Sequence, residues 1–338
     1  MYVKFFKLRE EPFASTSDPR FLYRSAVQQN ALERLINAVS MRRGITAIVG
    51  EPGLGKSTLI RTMLTGLQES VDFAWIFNTT METADLLRYI CRDFGFTPKG
   101  ETKGDLLIEL YTWFIQAHNK GRIPLLIIDE AQNLDPRVLE EIRQLSNLET
   151  VNQKLVQIIL SGQPQLDAYL DMPELVQLKQ RISYKATLSR FNFKESVNYI
   201  RYRLETAGAK NNDIFTPGAL KHIFEISGGI PRLINQVCDN AMIVAAKNQQ
   251  REIDAVIVTG LVERGEVMQA PPLPKCSAPV RAWELPGRQQ AKMTQPKPKP
   301  VRATPKAAPK ETPKYDRIIE SKDDIFEAVD FTELISVI

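Results

Sequence analysis

The chain has 338 residues, of which 43% are hydrophobic and 25% are charged, and its formal net charge is +4. This length accommodates two packed units and a tail, and the hydrophobic content supports a substantial core. So small a net charge gives no argument for nucleic-acid binding by itself, and no window approaches the ~20 consecutive apolar residues that would span a bilayer.

The N-terminus and the cysteines favour a protein of a reducing compartment. The first residues, MYVKFFKLREEPF, carry charges throughout and show no apolar stretch followed by a small-residue cleavage site, so we do not expect a signal peptide. Structural zinc needs four clustered N or S ligands, and the candidate ligands lack that spacing. They are Cys91, Cys238, Cys276, His118 and His222. Cys91 and Cys238 lie in helix-like apolar patterns and are expected to be small buried side chains.

Residues 1 to about 190 alternate short apolar runs with amphipathic segments. The middle runs are nearly continuous in apolar, often β-branched residues, which is typical of strands covered on both faces. Repeated strand–helix–strand units predict a parallel sheet with right-handed crossovers, and therefore an α/β domain. The predicted strands are ITAIVG (45–50), VDFAWIFN (71–78), IPLLIID (123–129), LVQIILS (155–161) and SYKATL (183–188).

A glycine-rich sequence follows the first predicted strand and precedes an apolar-periodic helix that ends near Leu67. Glycines let successive backbone N–H groups face phosphate oxygens, and the helix N-terminus adds a favourable dipole. Lys56 is expected to reach the β- and γ-phosphates, and the Ser57 hydroxyl to ligate Mg²⁺. Because a strand precedes and a helix follows, a ligand-free glycine turn is the weaker interpretation. The match to GxxxxGK(S/T) comprises Gly50, Glu51, Pro52, Gly53, Leu54, Gly55, Lys56 and Ser57, followed by Thr58.

Two adjacent carboxylates end another predicted strand. The apolar run 125–128 is followed directly by Asp129 and Glu130, and parallel sheets bind ligands at the carboxyl ends of their strands. Asp129 is expected to hold magnesium through water, and Glu130 to orient and deprotonate the attacking water. Capping of the next helix explains one acid poorly and does not explain why both motifs occur together. The two motifs predict an ATPase site that uses ATP and Mg²⁺.

Further polar residues are expected to complete this site. The run 155–161 ends at Ser161, and Gln163 follows two residues later. If this strand lies between the two motif strands, either side chain would contact the γ-phosphate or the attacking water; the sequence does not decide between them, and a simple turn residue is the alternative. Arg232 follows two glycines at the start of a helix, a placement that would bring its guanidinium onto the nucleotide and couple a domain hinge to hydrolysis.

Arg181 closes a helical stretch, 174–180, just before the last predicted strand. An arginine there is expected to point out of the domain and to reach the γ-phosphate of a neighbouring subunit. Such a residue stabilises transition-state charge and can be worth about 10³-fold or more in rate. A surface arginine paired with a local acid is the alternative, and Lys179 and Arg190 are weaker candidates for the same role.

After residue 190 the strand-like runs cease. Residues 191–267 show successive amphipathic patterns, and Thr216-Pro217 supplies an N-cap followed by a proline at the first helical position. This region is expected to be a small helical bundle attached to the sheet domain. Its predicted helices are Ser196–Ala207, Thr216–Ser227 and Pro231–Lys247.

The composition of the last part of the chain changes sharply. Residues 268–314 are rich in Pro, Lys and Ala and are expected to form a disordered linker, because they cannot bury enough apolar surface to fold. Between residues 269 and 314 there are ten Lys/Arg and two acidic residues, whereas 315–338 carry seven acids and two bases. The acidic end also contains several apolar residues, which suggests a short helix that docks a partner; a terminus without function is the alternative.

These residues together resemble the AAA+ ATPases, and more closely the ExeA/GspA-type general secretion pathway ATPases. The resemblance covers about residues 1–265, and the N-terminal segment, within 1–40, is its most specific part. The segments that carry it are FFKLREEPF, SDPRFLYRSAVQQNALERL, GEPGLGKSTLIRTML, LLIIDEAQNL, LSGQPQL, LKQRI and SGGIPRLINQVCDNAM.

The resemblance implies a P-loop NTPase of the AAA+ kind: a five-stranded parallel sheet of order 5-1-4-3-2, followed by an α-helical lid. It also implies that Phe21, Leu22 and Tyr23 lie near the adenine, beside the lid helix that contains Pro231. From the residues alone, this aromatic segment is expected only to pack.

The resemblance further implies a homo-oligomeric ATPase that drives assembly or regulation of a bacterial envelope secretion, pilus or exopolysaccharide export system. Such a protein would be cytoplasmic or peripheral at the inner membrane. Gln28 and Asn30 stand where relatives usually show His and Glu. Secretion-type members often continue into a membrane span and a peptidoglycan-binding domain, and neither is recognisable in this sequence, so the chain looks more like the shorter soluble relatives.

Two other functions are compatible with the same site. A DNA-associated AAA+ ATPase of the transposition or replication type would use the basic segment 269–314 to contact phosphates. Against it, residues 1–268 carry a net charge of only about +1 and show no helix-turn-helix after the lid. A nucleotide-dependent switch with negligible turnover is the third hypothesis.

Overall fold

The apolar runs predicted as strands pair in parallel into one sheet. The computed structural model describes residues 2–77, 83–210 and 213–272. Each strand lies within two residues of its predicted bounds, because continuous apolar runs mark buried strands clearly. The strands are β1 (Ile45–Val49), β2 (Val71–Ile76), β3 (Ile123–Ile128), β4 (Gln157–Gly162) and β5 (Ile182–Thr187).

The strand order across the sheet is β2-β3-β4-β1-β5, which confirms the predicted order read from the opposite edge. β4 therefore lies between the two strands that carry the motifs. Val49 at the end of β1 pairs with Gly162, and Ile128 at the end of β3 pairs with Leu160. The carboxyl ends of β1, β4 and β3 thus meet at one edge of the sheet, where the polar residues that follow them converge.

Helices cover both faces of the sheet, and all residues of β1, β3 and β4 are buried. One hydrophobic cluster joins one face of the sheet to the helices between β2 and β5, and the other joins the opposite face to the two helices that flank β1. The helices that precede β5 in the chain are α1 (Tyr2–Phe5), α2 (Ala26–Ser40), α3 (Lys56–Leu67), α4 (Thr83–Asp93), α5 (Lys103–Asn119), α6 (Pro136–Leu145), α7 (Gln165–Leu170) and α8 (Val176–Arg181). Three-residue 3-10 turns occur at Pro19–Phe21, Ala131–Asn133 and Pro173–Leu175.

The helical region after β5 has a hydrophobic core of its own. The predicted N-cap is confirmed: the Thr216 hydroxyl accepts from the backbone N–H of Ala219, and Pro217 begins the helix. The start of the chain also packs here, because Tyr2, Leu8 and Phe13 lie in this core. The helices are α9 (Phe193–Thr206), α10 (Pro217–Ser227), α11 (Pro231–Lys247) and α12 (Ala255–Glu263).

The two cysteines that the structure describes are buried in different cores, Cys91 with the sheet and Cys238 with the helical region. Burial raises the pKa of the Cys91 thiol to about 12. Cys276 and the predicted segments beyond residue 272 lie outside the described residues. Within the described ranges, no helix is both long and apolar enough to cross a bilayer.

Gly229, between α10 and α11, lies against the backbone of Phe191, which gives a first testable prediction. Its φ is +76°, and an added Cβ would lie 2.0 Å from the Phe191 carbonyl oxygen. We expect Gly229→Ala to lower the free energy of unfolding by roughly 2–4 kcal/mol through left-handed backbone strain and overpacking. Urea unfolding measures it.

The matched control is Gly66→Ala, in α3, where an added Cβ would meet nothing within 4 Å. This change is expected to raise stability by about 0.5–1 kcal/mol, because alanine loses less backbone entropy in a helix. A Gly229→Ala protein as stable as the wild type would contradict the close approach to Phe191.

Candidate active site

The loop between β1 and α3 is folded around its lysine. The φ of Gly53 is +84°, a left-handed conformation that glycine adopts without strain, and α3 begins at Lys56. The Lys56 ammonium donates to the carbonyl oxygens of Gly50, at 2.7 Å, and Glu51, at 3.3 Å. Burial lowers the pKa of Lys56, and the nearby carboxylates of Glu130 and Asp129 oppose that shift. The ammonium is thereby held beside the loop, where the pattern places phosphates.

The Asp129 carboxylate joins the ends of three strands. Its Oδ2 accepts from the Ser57 hydroxyl at 3.0 Å, and its Oδ1 accepts from the Ser161 hydroxyl at 2.8 Å. Its own backbone N–H donates to the Ile76 carbonyl at 3.0 Å, which continues the pairing with β2. Both predicted metal ligands, Ser57 and Asp129, are therefore in direct contact.

Glu130 is held by two glutamines. Its Oε2 accepts from Gln132 Nε2 at 2.7 Å and from Gln163 Nε2 at 2.9 Å, while Gln132 Oε1 accepts from the Gln163 backbone N–H at 3.1 Å. Glu130 has a φ of +50°, which is unusual for a residue other than glycine and costs of order 1–3 kcal/mol. Such strain persists where surrounding contacts fix the conformation. Here the hydrogen bonds from the two glutamines fix the side chain of Glu130.

Ser161 and Gln163, between which the sequence did not decide, have different partners. Ser161 is fully buried and contacts Asp129, whereas Gln163 is partly exposed and contacts Glu130. Gln132 is not among the residues predicted from the sequence. Its position two residues after Glu130 was the one feature of the sequence that could have pointed to it. The 3-10 turn at Ala131–Asn133, which the sequence did not predict, directs its amide back towards β4.

A cavity of about 380 Å³ adjoins the loop, a size typical of ligand pockets. The glycine loop and Glu130 line one part of it, and the N-terminal segment and the helical region line the remainder. Tyr23 and Arg232, both predicted to contact the nucleotide, line this cavity. The apolar and aromatic side chains of its wall are Phe21, Leu22, Tyr23, Tyr199 and Pro231.

The helical region touches the loop directly at Arg232. Its backbone N–H donates to the Gly53 carbonyl at 3.2 Å, and an added Cβ on Gly53 would lie 2.7 Å from Arg232 Cβ. This contact leaves no room for a side chain at Gly53. The start of α11 is therefore in direct contact with the loop that precedes Lys56.

Arg203, which the sequence analysis missed, supports the wall of the cavity. It is buried, and it donates to Tyr199 Oη at 2.9 Å, to the Ala14 carbonyl at 3.2 Å and to the Pro12 carbonyl. Its guanidinium carbon lies 4.7 Å from the centre of the Phe21 ring, within reach of a cation–π interaction. The available signal was an arginine within the apolar stripe of α9.

The residues predicted to contact a neighbouring subunit do not line the cavity. Arg181 is exposed at the end of α8 and is not among the residues that line the cavity. Lys179 forms an exposed ion pair with Asp171. Arg190, named as a weaker alternative to Arg181, is wrong for that role, because its buried guanidinium pairs with Glu51 of its own loop at 2.9 and 2.5 Å.

The residues present fit the expected magnesium ion. A hydroxyl and a carboxylate lie in direct contact beside a lysine-containing loop, and Mg²⁺ prefers oxygen ligands supplied by one or two carboxylates together with substrate phosphates. The oxygen donors are Ser57 Oγ and the Asp129 carboxylate.

Comparison with known proteins agrees with this geometry. Residues 39–170 match the family model described as "AAA domain". General secretion pathway protein A of Aeromonas hydrophila is 39% identical over 246 residues, which is 72% of this chain and 45% of that protein. The chain therefore spans less than half the length of this relative.

Two solved structures have a similar fold. Cdc6p from Pyrobaculum aerophilum has a TM-score of 0.57 at 18% identity, over 72% of this chain and 67% of its own. The Aeropyrum pernix ORC2 protein has a TM-score of 0.58 at 18% identity, over 76% of this chain and 72% of its own. These two similarities show the fold alone. The family match and the secretion relative go further: the chain is a member of the AAA family of P-loop NTPases, with the AAA+ fold, and a homologue of general secretion pathway protein A.

Proposed function

We propose that this protein binds ATP with Mg²⁺ and hydrolyses it to ADP and phosphate. The observation that carries the proposal is the 3.0 Å hydrogen bond between Ser57 and Asp129, because it joins the two sequence motifs at one point. A phosphate-binding loop alone would support binding only. The adjacent Glu130, fixed towards the same cavity, supplies the group that hydrolysis requires.

Different residues bind the phosphates and the magnesium ion in this proposal. The backbone N–H groups of the loop and the N-terminus of α3 bind the phosphates, and Lys56 exchanges its two carbonyl contacts for phosphate oxygens. Ser57 and Asp129 hold the magnesium ion, which neutralises developing charge on the β- and γ-phosphates when bound. Ser161 keeps Asp129 oriented.

Glu130 is the general base in this proposal. Its carboxylate orients a water and accepts its proton as the water attacks the γ-phosphorus. Gln163 and Gln132 keep the carboxylate in place, and Gln163 is the better candidate for contact with the γ-phosphate because Ser161 is buried beneath Asp129. Arg232 and Tyr23 bring the helical region and the N-terminal segment onto the nucleotide.

The assembly that we propose is a homo-oligomer in which Arg181 completes the site of a neighbouring subunit. Its exposure at the end of α8 supports this role. By its homology to general secretion pathway protein A, we propose that the oligomer powers assembly or regulation of an envelope secretion, pilus or exopolysaccharide export system from the cytoplasmic side. The acidic segment 315–338 is the proposed docking element for a partner.

Substitution of Glu130 tests the catalytic assignment. Glu130→Gln is expected to lower turnover by about 10²–10⁴-fold, because an amide cannot accept the proton from water. Nucleotide affinity should be retained, whereas Lys56→Ala should lose it. Phosphate release and equilibrium binding measure the two effects. Glu69→Gln, on an exposed acid, is the matched control; equal turnover in Glu130→Gln and the control would contradict the proposed base.

A subunit-mixing experiment tests the shared site. Arg181→Ala is expected to lower turnover by about 10³-fold while ATP binding is retained, and Lys179→Ala should have little effect. Mixing inactive Arg181→Ala with inactive Glu130→Gln should restore activity, because one supplies an intact Glu130 and the other an intact arginine. Turnover should also rise with protein concentration. No recovery on mixing would show that Arg181 does not act across an interface.

Salt dependence separates the export function from the DNA-associated alternative, which the basic segment 269–314 supports. We expect the full chain to bind duplex DNA only weakly and to lose that binding by 150 mM salt, since nonspecific phosphate contacts weaken steeply with salt. Fluorescence anisotropy at 50 and 150 mM salt, with and without ATP, measures this. Binding that persists at 150 mM and stimulates ATP hydrolysis would favour the alternative.

A further inference from the structure

Gln28 is a buried side chain at the cavity whose carboxamide has no hydrogen-bond partner among the described residues. It lies in the first turns of α2, it is 7% exposed, and it lines the cavity beside the glycine loop. Its Oε1 is enclosed and accepts no hydrogen bond from the described part of the chain, and its Nε2 donates none there. Buried polar groups are nearly always paired, so an unpaired carboxamide at a ligand cavity requires an explanation.

The helix itself does not need this carboxamide. The N-terminus of α2 is capped by Ser25, whose hydroxyl accepts from the backbone N–H of Gln28 at 3.3 Å. The neighbouring Gln29 pairs with Glu33 on the outside of the same helix. An apolar side chain of the same size would satisfy the packing at position 28 at least as well. The polar group is therefore available to whatever enters the cavity.

A second carboxamide at the cavity, that of Asn235, is already engaged. Arg203 can only donate, so Tyr199 Oη accepts from it at 2.9 Å and directs its own proton to Asn235 Oδ1 at 2.8 Å. In the described part of the protein, no such series of hydrogen bonds holds the carboxamide of Gln28. Within the described residues, neither its donor nor its acceptor takes part in a hydrogen bond.

Gln28 lies where the base of a nucleotide, rather than its phosphates, would bind. Phosphates belong at the glycine loop, around Lys56, so the base of the same nucleotide extends towards the aromatic and apolar part of the cavity. That part is formed by Phe21, Leu22 and Tyr23, and Gln28 follows them on the next element of the chain. A flat base packs well against such a wall, and its edge then meets the carboxamide.

We propose that Gln28 recognises the adenine of the bound nucleotide through the edge that carries its exocyclic amino group. Its Oε1 accepts from the adenine amino group, and its Nε2 donates to the adjacent ring nitrogen; glutamine pairs with adenine in this bidentate way elsewhere. The terminal torsion of glutamine is broad, so the amide can turn both atoms to the base. This inference rests on the proposed ATP site and names the group that selects its base.

The test uses the full chain, ATP, and purine riboside 5′-triphosphate, which lacks only the amino group. The wild type is expected to bind ATP about tenfold more tightly than the analogue, because a lost hydrogen bond leaves a buried acceptor unpaired. Gln28→Leu should bind both nucleotides equally. Gln29→Leu, one residue along the same helix, should keep the tenfold ratio. The same ratio in Gln28→Leu as in the wild type would overturn the assignment.

Thermal unfolding without nucleotide guards against a folding defect. Gln28→Leu should unfold at the same temperature as the wild type or higher, because the change removes an unpaired buried group, and ATP should raise its Tm less than it raises that of the wild type. A lowered Tm without nucleotide, with an unchanged shift on adding ATP, would show a structural role instead. A wild type that binds neither triphosphate would overturn the ATP proposal itself; one that binds both equally would overturn only the role of Gln28.

Discussion

The candidate site depends on the hydrogen bonds that the Asp129 carboxylate accepts from two serine hydroxyls. Ser57 lies in the first turn of α3, which follows β1 and its loop, and Ser161 lies at the end of β4, so the Asp129 carboxylate links groups positioned by three neighbouring strands. A carboxylate this buried would be costly without such partners. The parallel sheet supplies them, because it brings the carboxyl ends of β1, β4 and β3 to one edge. Loss of the strand order would therefore separate the donors from the acid even if every residue were retained.

The wall opposite the loop is fixed by a different kind of contact. Arg203 is a buried cation whose partners are carbonyl and hydroxyl oxygens together with the face of Phe21. These contacts tie the N-terminal segment, and with it the aromatic wall of the cavity, to α9. Arg232 also contacts the backbone of Gly53, so the helical region contacts the cavity at the glycine loop as well as at its aromatic wall.

The Glu51–Arg190 ion pair connects the loop to the junction between the two regions. Arg190 follows β5 and precedes α9, and its second branch donates to the Pro271 carbonyl at 3.1 Å. The loop is thus bonded to the segment between β5 and α9 through Arg190, and to α11 through Arg232. Such an arrangement couples the state of the loop to the position of the helical region, as the proposed role of Arg232 requires.

The sequence by itself determined the strands, their parallel arrangement and the two motifs, because each is written in local patterns. Buried strands read as continuous apolar runs, and a phosphate loop needs its glycines, Lys56 and Ser57 within a few residues. The strand order came from the family resemblance, and the tertiary structure confirmed it. Only the tertiary structure decided which side chains contact Asp129 and Glu130 and which support the wall of the cavity. Ser161 and Gln163 were indistinguishable in sequence, and Gln132 and Arg203 went unnoticed, because their roles depend on partners distant along the chain. Contacts between distant residues form only when the strands and helices are packed, and no local pattern encodes them.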